Sequence, residues 1–354
     1  MSNEKTYNVG VLGATGAVGQ KFIRLLEGHP WFTVKAVGAS DRSAGKAYKD
    51  AVNWLEPTTI PDNVKSLVVV ECKPDQMKNV DFVFSGLDSS VAGEIEGDFA
   101  KAGIPVISNA KNFRTHKQVP LLIPEVNPDH AGMAQGQPFD PNGKGFIVTN
   151  PNCVVVPLAM SLRPLYDQFG IESVVVVSQQ AISGAGYPGV PSLDITSNVI
   201  PYIGGEESKI ESEPLKLLGA LNNNAVNDAN FIIHATATRV PVIEGHTLAI
   251  HVTLKKEAGS ADEVVKAFNG WMNPISGLNL PSAPHRAIKV YDDPRFPQPR
   301  LQAYAEKGMQ AAIGRVQLRT PKVLTYVAMA HNTIRGAAGG AILNAELLVS
   351  KNVL

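Results

Sequence analysis

The chain has 354 residues, enough for two domains that each bury a core. Its 32 basic and 32 acidic residues cancel, which excludes a net charge that would attract nucleic acid or an anionic membrane. No apolar run is long enough to span a membrane, and the first residues carry no signal-peptide pattern. Two cysteines, Cys72 and Cys153, make neither a disulfide framework nor a zinc pattern, and the eight histidines are scattered. We therefore predict a cytoplasmic protein without a metal site.

The first predicted element is a strand that leads into a glycine-rich turn. An apolar run at residues 7–12 is followed by the sequence GATGAVG at residues 13–19 and by an amphipathic stretch at residues 20–27. A turn without bulky side chains lets the backbone approach a pyrophosphate, whose charge then faces the helix N-terminus. The pattern predicts dinucleotide binding, and an ordinary strand-to-helix turn is the alternative.

The end of the second predicted strand, residues 33–38, indicates which dinucleotide binds. NAD sites usually place an acidic residue here for the ribose 2′-hydroxyl, whereas an arginine accommodates a 2′-phosphate. In this chain Ser40, Arg42 and Ser43 follow the strand, with Asp41 among them. We therefore predict NADP as the cofactor, with a solvated turn as the alternative.

The alternation of strands and helices continues to an arginine. Residues 81–87 and 104–109 are typical of buried parallel strands, and residues 92–102 between them are typical of a helix. Arg114 follows the second of these strands. Because ligands bind beyond the carboxyl ends of parallel strands, Arg114 could bind a phosphate or carboxylate through two hydrogen bonds. A surface arginine is the alternative.

The sequence TNPNCVVVP, residues 149–157, lies between a strand-like run and an apolar segment compatible with a helix. Proline is tolerated in the first turn of a helix, so the helix is predicted to begin near Pro157. Cys153 would then lie at the helix N-terminus, where unpaired N–H groups and the dipole favour an anion and lower a thiol pKa. The pattern predicts a nucleophilic thiolate, and a small buried residue is the alternative.

The second half of the chain is typical of an α+β domain with a mixed or antiparallel sheet. Strand patterns follow one another without clear intervening helices, at residues 173–179, 231–238, 247–254, 311–318 and 323–330. His246 follows a glycine between two of these strands and could act as a base with Cys153, although a lone histidine is more often structural. Residues 332–348 are typical of a small-residue, apolar helix.

Seven motifs, in this order, resemble the aspartate-semialdehyde dehydrogenase family over essentially the whole chain: GATGAVG, SNAKNFR, NPNCV, QAISGAGYPG, GGEESK, RVPVIEGH and NTIRGAAGGAILNAELL. The turn SDRSAG and the motifs ISGAGYPG and NTIRGAAGG look most like the archaeal and fungal branch. The resemblance implies a Rossmann-type NADP-binding domain, residues 1–152 plus 332–354, and an α+β catalytic and oligomerisation domain, residues 153–331. It also implies a small-molecule substrate and a homodimer or homotetramer.

The resemblance implies a role for each matching residue. Cys153 would be the nucleophile and His246 the general acid/base. Substrate binding is implied for Arg239 at the carboxylate, Glu207 at the amino group, Gln180 in orientation, and Arg114 and Lys209 at the phosphate. Cofactor binding is implied for Gly13, Thr15, Gly16, Ala17, Val18, Ser40, Arg42, Ser43, Ser85, Ser183, Gly184 and Asn332. The family usually has Ser or Thr directly after the nucleophile, where this chain has Val154, although a backbone N–H could still serve an oxyanion there.

The implied reaction is the NADPH-dependent reductive dephosphorylation of L-aspartyl-4-phosphate to L-aspartate-4-semialdehyde through a cysteine thioester, in lysine, threonine and methionine biosynthesis. One alternative is a malonyl-CoA reductase-type enzyme on the same scaffold, which would have no amino group for Glu207 to bind. N-acetylglutamyl-phosphate reductase and glyceraldehyde-3-phosphate dehydrogenase share the chemistry but match the motifs less well. A non-catalytic NADP-binding sensor is the alternative from another class, and the intact Cys153 and His246 argue against it.

Overall fold

The computed structural model describes residues 6–354, which divide into two compact units. Unit 1 contains the described residues up to Leu122, together with Asp129–Asn150 and Ala337–Leu354. Unit 2 contains Ile123–Pro128 and Pro151–Gly336. The bounds of the two units differ from the predicted domain bounds in three places: residues 123–128, 151–152 and 332–336 belong to unit 2 and not to unit 1.

Unit 1 is built on one sheet of six parallel strands in the order β3-β2-β1-β4-β5-β6. The strands are β1 (Tyr7–Leu12), β2 (Phe32–Ala39), β3 (Val69–Glu71), β4 (Phe82–Ser85), β5 (Val106–Ser108) and β6 (Ile147–Thr149). This order is the doubly wound, Rossmann-type arrangement, which confirms the predicted fold class. The strands are apolar on both faces because helices cover a parallel sheet on both sides.

The helices of unit 1 are α1 (Ala17–Leu25), α2 (Tyr48–Ala51), α3 (Asp62–Lys65), α4 (Ser89–Lys101) and α10 (Gly339–Ser350). Helix α1 starts three residues before the predicted stretch, directly after the glycine turn. That turn needs its glycines: Gly13 has φ +71°, and a Cβ on Gly19 would lie 2.2 Å from the Gly13 carbonyl oxygen. The close approach places the N-terminus of α1 at the carboxyl end of β1.

Unit 2 is built on a mixed sheet in the order β10-β7-β11-β14-β13-β12. The strands are β7 (Ile171–Gln180), β10 (Ile232–Arg239), β11 (His246–Leu254), β12 (Ile288–Tyr291), β13 (Ala311–Thr320) and β14 (Val323–Ala330). The two outer pairs are parallel and the inner pairs are antiparallel, as the α+β prediction requires. A separate hairpin pairs β8 (Ala220–Asn222) with β9 (Ala225–Asn227).

The helices of unit 2 are α5 (Val155–Phe169), α6 (Ser192–Ile195), α7 (Glu206–Leu217), α8 (Ala261–Asn269) and α9 (Pro299–Gln302), and a π-helical turn covers Ile334–Ala338. Helix α5 is almost wholly buried and packs on the sheet. The sequence analysis missed α8 and the short edge strand β12, which has too few residues to show a clear alternation. The six-stranded sheet and α5 set the positions of the residues described next.

Candidate active site

Cys153 lies just before α5, as the sequence predicted. Val154 caps that helix, and its backbone N–H donates to Oδ1 of Asn152 at 3.0 Å. The positive end of a buried helix dipole favours a thiolate at this position. Because the Val154 N–H is already paired, it is not an open donor for an oxyanion in this conformation.

His246 contacts the sulfur of Cys153. Its Nε2 lies 3.1 Å from Sγ, while its Nδ1 accepts a hydrogen bond of 3.0 Å from the backbone N–H of Ala181. A backbone N–H can only donate, so Nδ1 carries no proton and Nε2 carries it in the neutral ring. His246 therefore presents an N–H to the sulfur, and a thiolate is the better acceptor for it.

The surroundings of His246 keep its ring neutral. Complete burial lowers the pKa of His246 to about 3, and Arg239 and His331 add to the decrease by their charge. Protonation of the ring would also put a hydrogen on Nδ1, facing the N–H of Ala181, and the hydrogen bond between them would be lost. The neutral tautomer with hydrogen on Nε2 is therefore the form present near neutral pH.

The loop before β11 fixes the position of His246. Gly245 has φ +102°, which a residue with a Cβ adopts only under strain, and its N–H donates to Oδ1 of Asn332 at 2.9 Å. A Cβ on Gly245 would lie 2.9 Å from the Cβ of Pro299. The next residue, His246, pairs with Ala330 on β14, so strand register holds the ring against the sulfur.

Arg239 ends β10 beside Gln180, its parallel neighbour on β7. Its Nη1 donates to the carbonyl oxygen of Ala181 at 2.7 Å. Burial lowers the pKa of Arg239, and the opposing charges of Cys153 and Glu206 partly offset this. The guanidinium thus lies near the thiol and a carboxylate within the same unit.

Gly184 packs directly on these side chains. A Cβ on this residue would lie 2.9 Å from Nη1 of Arg239 and 3.0 Å from Cε1 of His246. Both distances are too short for a carbon in contact. A Cβ at this position would therefore displace the arginine, the histidine or the loop that covers them.

Glu206 is the carboxylate at the centre of a polar cluster. Its oxygens accept from Nδ2 of Asn152 at 3.1 and 3.0 Å, from Nε2 of Gln180 at 3.2 Å and from Nζ of Lys209 at 2.6 Å. Burial alone would raise the pKa of Glu206, but the Lys209 ion pair and the two amides outweigh it and leave the pKa below its usual value. Glu206 is therefore an ionised carboxylate beside the residue that precedes Cys153.

The structure does not bring Glu207 into this cluster. Its Oε1 accepts from the backbone N–H of Ala237 on β10 at 3.1 Å, so its carboxylate supports the strand. Successive residues of a helix point about 100° apart, whereas residues three apart share a face. Glu206 and Lys209 have that spacing in α7. Glu206, and not the predicted Glu207, is therefore the acidic residue that joins Asn152, Gln180 and Lys209.

Besides Glu206, the sequence analysis missed Asn152 and Glu213. Asn152 donates its backbone N–H to Oε2 of Glu213 at 2.6 Å, one turn beyond Lys209 on the same face of α7. The spacing of Glu206, Lys209 and Glu213 is the signal that could have identified this face. Asn152 had no such signal, because its partners are far away in the sequence.

Ser183 and Asn332, both predicted at the cofactor, are brought together in unit 2. Nδ2 of Asn332 donates to Oγ of Ser183 at 2.8 Å, and Oδ1 of Asn332 accepts from Gly245. Asn332 is buried, so its amide also holds the loop that carries His246.

The remaining predicted cofactor residues lie in unit 1. Gly13, Thr15 and Gly16 lie between β1 and α1, and Ala17 and Val18 form the first turn of α1. Ser40, Arg42 and Ser43 form a turn after β2, with Ser40 and Arg42 exposed. Arg42 makes no ion pair among the described residues, and no side chain caps the N-terminus of α1 with a hydrogen bond. These features fit a dinucleotide with a 2′-phosphate.

Ser85 and Arg114 have surroundings that the sequence did not indicate. Ser85 is fully buried and lies beside the carboxyl group of Glu96, so its side chain is not open to a ligand. Burial raises the pKa of Glu96 to about 7, although Oγ of Ser108 donates a hydrogen bond of 2.7 Å to Oε1 of Glu96. Nη2 of Arg114 donates to the carbonyl oxygen of Asn109 at 2.7 Å, in unit 1. Cofactor binding by Ser85 stays a prediction, and its burial leaves only the backbone of that residue for such a contact.

Among residues 6–354, no cluster of histidine, cysteine or acidic side chains has the arrangement of a metal site. Within the same residues, no helix has the length and apolar character needed to cross a membrane.

Two family profiles match the chain. The profile described as semialdehyde dehydrogenase, NAD binding domain, matches residues 8–134, and the profile described as semialdehyde dehydrogenase, dimerisation domain, matches residues 162–335. Together they cover most of both units.

Full-length relatives agree with these profiles. The chain is 47% identical over 348 residues to the aspartate-semialdehyde dehydrogenase of Archaeoglobus fulgidus, which covers 98% of this chain and 99% of that protein. It is 48% identical over 354 residues to the enzyme of that name from Aspergillus fumigatus, covering 98% of each.

Solved structures are similar over the same length. The crystal structure of aspartate semialdehyde dehydrogenase with NADP from Candida albicans has a TM-score of 0.90 at 40% identity, covering 99% of this chain and 100% of that one. Aspartate semialdehyde dehydrogenase II of Vibrio cholerae, complexed with ASA, has a TM-score of 0.76 at 26% identity, covering 98% of each chain.

Proposed function

The chain belongs to the aspartate-semialdehyde dehydrogenase family, and from this premise we propose that it reduces L-aspartyl-4-phosphate to L-aspartate-4-semialdehyde with NADPH. The observation that carries the proposal is the contact of 3.1 Å between Sγ of Cys153 and Nε2 of His246, beside an ionised carboxylate and a guanidinium. This combination suits an acyl substrate that also carries an amino group and a carboxylate.

Cys153 is the proposed nucleophile. Its thiolate would attack the acyl carbon of the aspartyl phosphate, form the C–S bond of a thioester and release inorganic phosphate. A thiolate is both a good nucleophile and a competent leaving group, so the covalent route replaces one difficult displacement by easier steps. The N-terminus of α5 and the Nε2–H of His246 favour the anionic sulfur before each turnover.

His246 is proposed to act as a hydrogen-bond donor at the acyl oxygen. Its Nε2–H lies at the sulfur and therefore beside the oxygen of any acyl group attached there, where it would stabilise an oxyanion. When that oxyanion collapses to the aldehyde and expels the thiolate, charge moves from oxygen to sulfur and no proton is required from the ring. The Ala181 N–H keeps the ring in the tautomer that this role needs.

The substrate's charged groups each have a proposed partner. Arg239 would bind the α-carboxylate, and Glu206, instead of the predicted Glu207, would bind the ammonium group. Gln180, which bonds Glu206, would orient the substrate between them. Lys209 and Arg114 remain the proposed phosphate residues. If Glu206 binds an ammonium group, an amino-acid substrate fits the site better than malonyl-CoA, which has no amino group to offer there.

NADP is the cofactor that unit 1 fits. The backbone of the glycine turn would bind the pyrophosphate at the N-terminus of α1, and Ser40, Arg42 and Ser43 would bind the 2′-phosphate. Ser183, Gly184 and Asn332 remain the proposed residues on the nicotinamide side. When bound, NADPH supplies the hydride that reduces the thioester.

The chain is proposed to work as a homodimer or homotetramer. One face of the unit 2 sheet is open at the edge strand β10 and its neighbour β7. Ile232 on β10 is 60% exposed, and Val175 and Val177 on β7 are 49% and 39% exposed. A second copy of this chain would cover these apolar side chains. The dimerisation profile spans this sheet. We also infer a cytoplasmic location, because two cysteines 81 positions apart make no disulfide framework of the kind that secreted proteins use.

The test is a comparison of two aldehydes. Purified protein would be assayed for NADP⁺ reduction with L-aspartate-4-semialdehyde and phosphate, and separately with malonate semialdehyde and coenzyme A. Phosphate-dependent turnover with the first pair is the expected result, and turnover with only the second pair would overturn the substrate. Cys153→Ser should still bind NADPH while turnover falls by on the order of 10³-fold or more; a near-normal rate would overturn the nucleophile.

A further inference from the structure

The glycine turn of unit 1 is held by two side chains from outside the turn. Oη of Tyr48 donates to the carbonyl oxygen of Ala14 at 2.8 Å, and Nε2 of Gln20 donates to that of Thr15 at 2.9 Å. Tyr48 is fully buried and Gln20 is 1% exposed. Both interactions therefore operate away from solvent, where a hydrogen bond orients its partners more strongly.

These bonds set the direction of the peptide groups in the turn. The C=O and N–H of a trans peptide point in opposite directions. Tyr48 donates to the Ala14 carbonyl oxygen from the buried side of the turn. The N–H of Thr15, which belongs to the same peptide, therefore points to the opposite side. The Gly13 carbonyl is also directed inwards, because it accepts from the N–H of Gly16 at 3.0 Å. An anion at the N-terminus of α1 would thus face N–H groups and not these carbonyl oxygens.

Tyr48 begins a segment that is anchored to α1 along its length. We call residues 48–56 the clamp segment. Nε2 of Gln20 also donates to the Asn53 carbonyl at 3.0 Å, and Oε1 of Gln20 accepts from the Leu55 N–H at 2.7 Å. Both amide hydrogens of Gln20 are therefore used. At the end of the segment, buried Glu56 forms ion pairs with Lys21 and Arg24 at 2.9 and 2.8 Å.

Four residues separate the clamp segment from the turn proposed for the 2′-phosphate. Backbone hydrogen bonds hold this part of the chain. The N–H of Gly45 donates to the carbonyl oxygen of Val69 at 2.8 Å, and the N–H of Tyr48 donates to that of Leu67 at 2.8 Å. Burial raises the pKa of Tyr48, so its hydroxyl remains a protonated donor. One rigid stretch of chain thereby supports the turns at both ends of the adenosine pyrophosphate site.

We propose that Tyr48 and Gln20 are positioning residues for NADP, which hold the glycine turn in its anion-binding form through the clamp segment. The inference rests on the proposed NADP dependence and adds two residues that touch neither substrate nor cofactor. Its specific consequence concerns the pyrophosphate: losing a bond to the turn should weaken ligands with a pyrophosphate more than ligands without one.

The experiment measures binding of NADPH and of adenosine 2′-monophosphate, which has no pyrophosphate, to wild type, Tyr48→Phe and Gln20→Met. The dissociation constant for NADPH should rise about 3- to 10-fold in Tyr48→Phe and by at least as much in Gln20→Met. Affinity for adenosine 2′-monophosphate should change less than twofold, and kcat at saturating NADPH should stay close to wild type.

Tyr7→Phe is the matched control, because the hydroxyl of Tyr7 donates to a backbone carbonyl of unit 1, that of Leu354, far from the turn. It should leave NADPH affinity unchanged. If Tyr48→Phe bound NADPH as wild type does, or if both ligands weakened equally, the inference would be overturned. Wild type that bound no NADPH would overturn the cofactor assignment as well, so the two failures are distinguishable.

Discussion

The backbone N–H of Ala181 donates to Nδ1 of His246 at 3.0 Å, and this one bond decides what the histidine can do at Cys153. It leaves the ring hydrogen on Nε2, 3.1 Å from the sulfur. To accept the thiol proton, His246 would need an unprotonated Nε2. In the neutral ring the hydrogen would then be on Nδ1, where it would face the N–H of Ala181 and the hydrogen bond between them would be lost. The geometry therefore favours a donor to sulfur and oxygen over a proton carrier.

His246→Gln should retain more activity than His246→Asn. The amide nitrogen of glutamine can occupy the position of Nε2 and still donate, whereas that of asparagine reaches only as far as Nδ1. We expect kcat of the glutamine variant to exceed that of the asparagine variant by about 10-fold, since a positioned donor is worth roughly this much or more. Steady-state kinetics with aspartate semialdehyde would measure it. Equal losses in both variants would support a proton carrier instead.

Protein stability should fall with decreasing pH because of His246. In the folded protein its pKa is about 3, against 6.5 for the free side chain. Between these values the unfolded chain binds a proton that the folded one does not, so stability rises with pH and is lost as pH falls below 6.5. Relative to His246→Gln, wild type should lose about 2 kcal/mol between pH 6.5 and 5. Urea unfolding at several pH values would measure the free energy of unfolding of both proteins. A difference between them that does not change with pH would contradict the prediction.

Glu206→Gln and Glu207→Gln form a matched pair. If Glu206 binds the ammonium group, its loss should lower kcat/KM for aspartate semialdehyde by about 10- to 100-fold, the usual cost of a charged hydrogen bond. Glu207→Gln should stay within about threefold of wild type, because that carboxylate only accepts from a strand N–H. The opposite order would restore the assignment made from sequence.

Gly184→Ala should reduce activity without unfolding the protein. The new methyl group would push the loop away from Arg239 and His246, and displacement of about 1 Å at a reacting centre can cost on the order of 10²-fold in rate. Gly97→Ala is the control, because a Cβ at that position in α4 meets nothing within 4 Å. Unchanged kcat/KM in Gly184→Ala would contradict the packing described for the loop.

Val177→Glu should dissociate the oligomer. A carboxylate at this position on the open face of the unit 2 sheet would be buried without a partner by a second copy. Light scattering should then show monomers at concentrations where wild type is associated. Val91→Glu places the same charge on the exposed surface of α4 in unit 1 and should leave association intact. A dissociated control, or an intact Val177→Glu oligomer, would place the interface elsewhere.

Local patterns in the sequence were sufficient for the elements that carry the site. The glycine turn, the helix start after Cys153 and the strand at residues 323–330 were predicted because each depends on neighbouring residues: backbone freedom, capping and apolar period. The same reasoning gave the Rossmann-type and α+β fold classes, since strand alternation with or without helices determines them.

Sequence by itself determined which residue types surround the nucleophile, and the tertiary structure decided which of them reach it. Glu206 and not Glu207 joins the cluster because the start of α7 sets which side of the helix faces Asn152. The Ala181 N–H reaches His246 because the register of β7 and β11 brings their ends together, and Tyr48 reaches the glycine turn by a bond across 34 positions. The hydrogen bonds of Ala181 and Tyr48 join residues far apart in the chain, and such partners leave no periodic or spacing signal in the sequence.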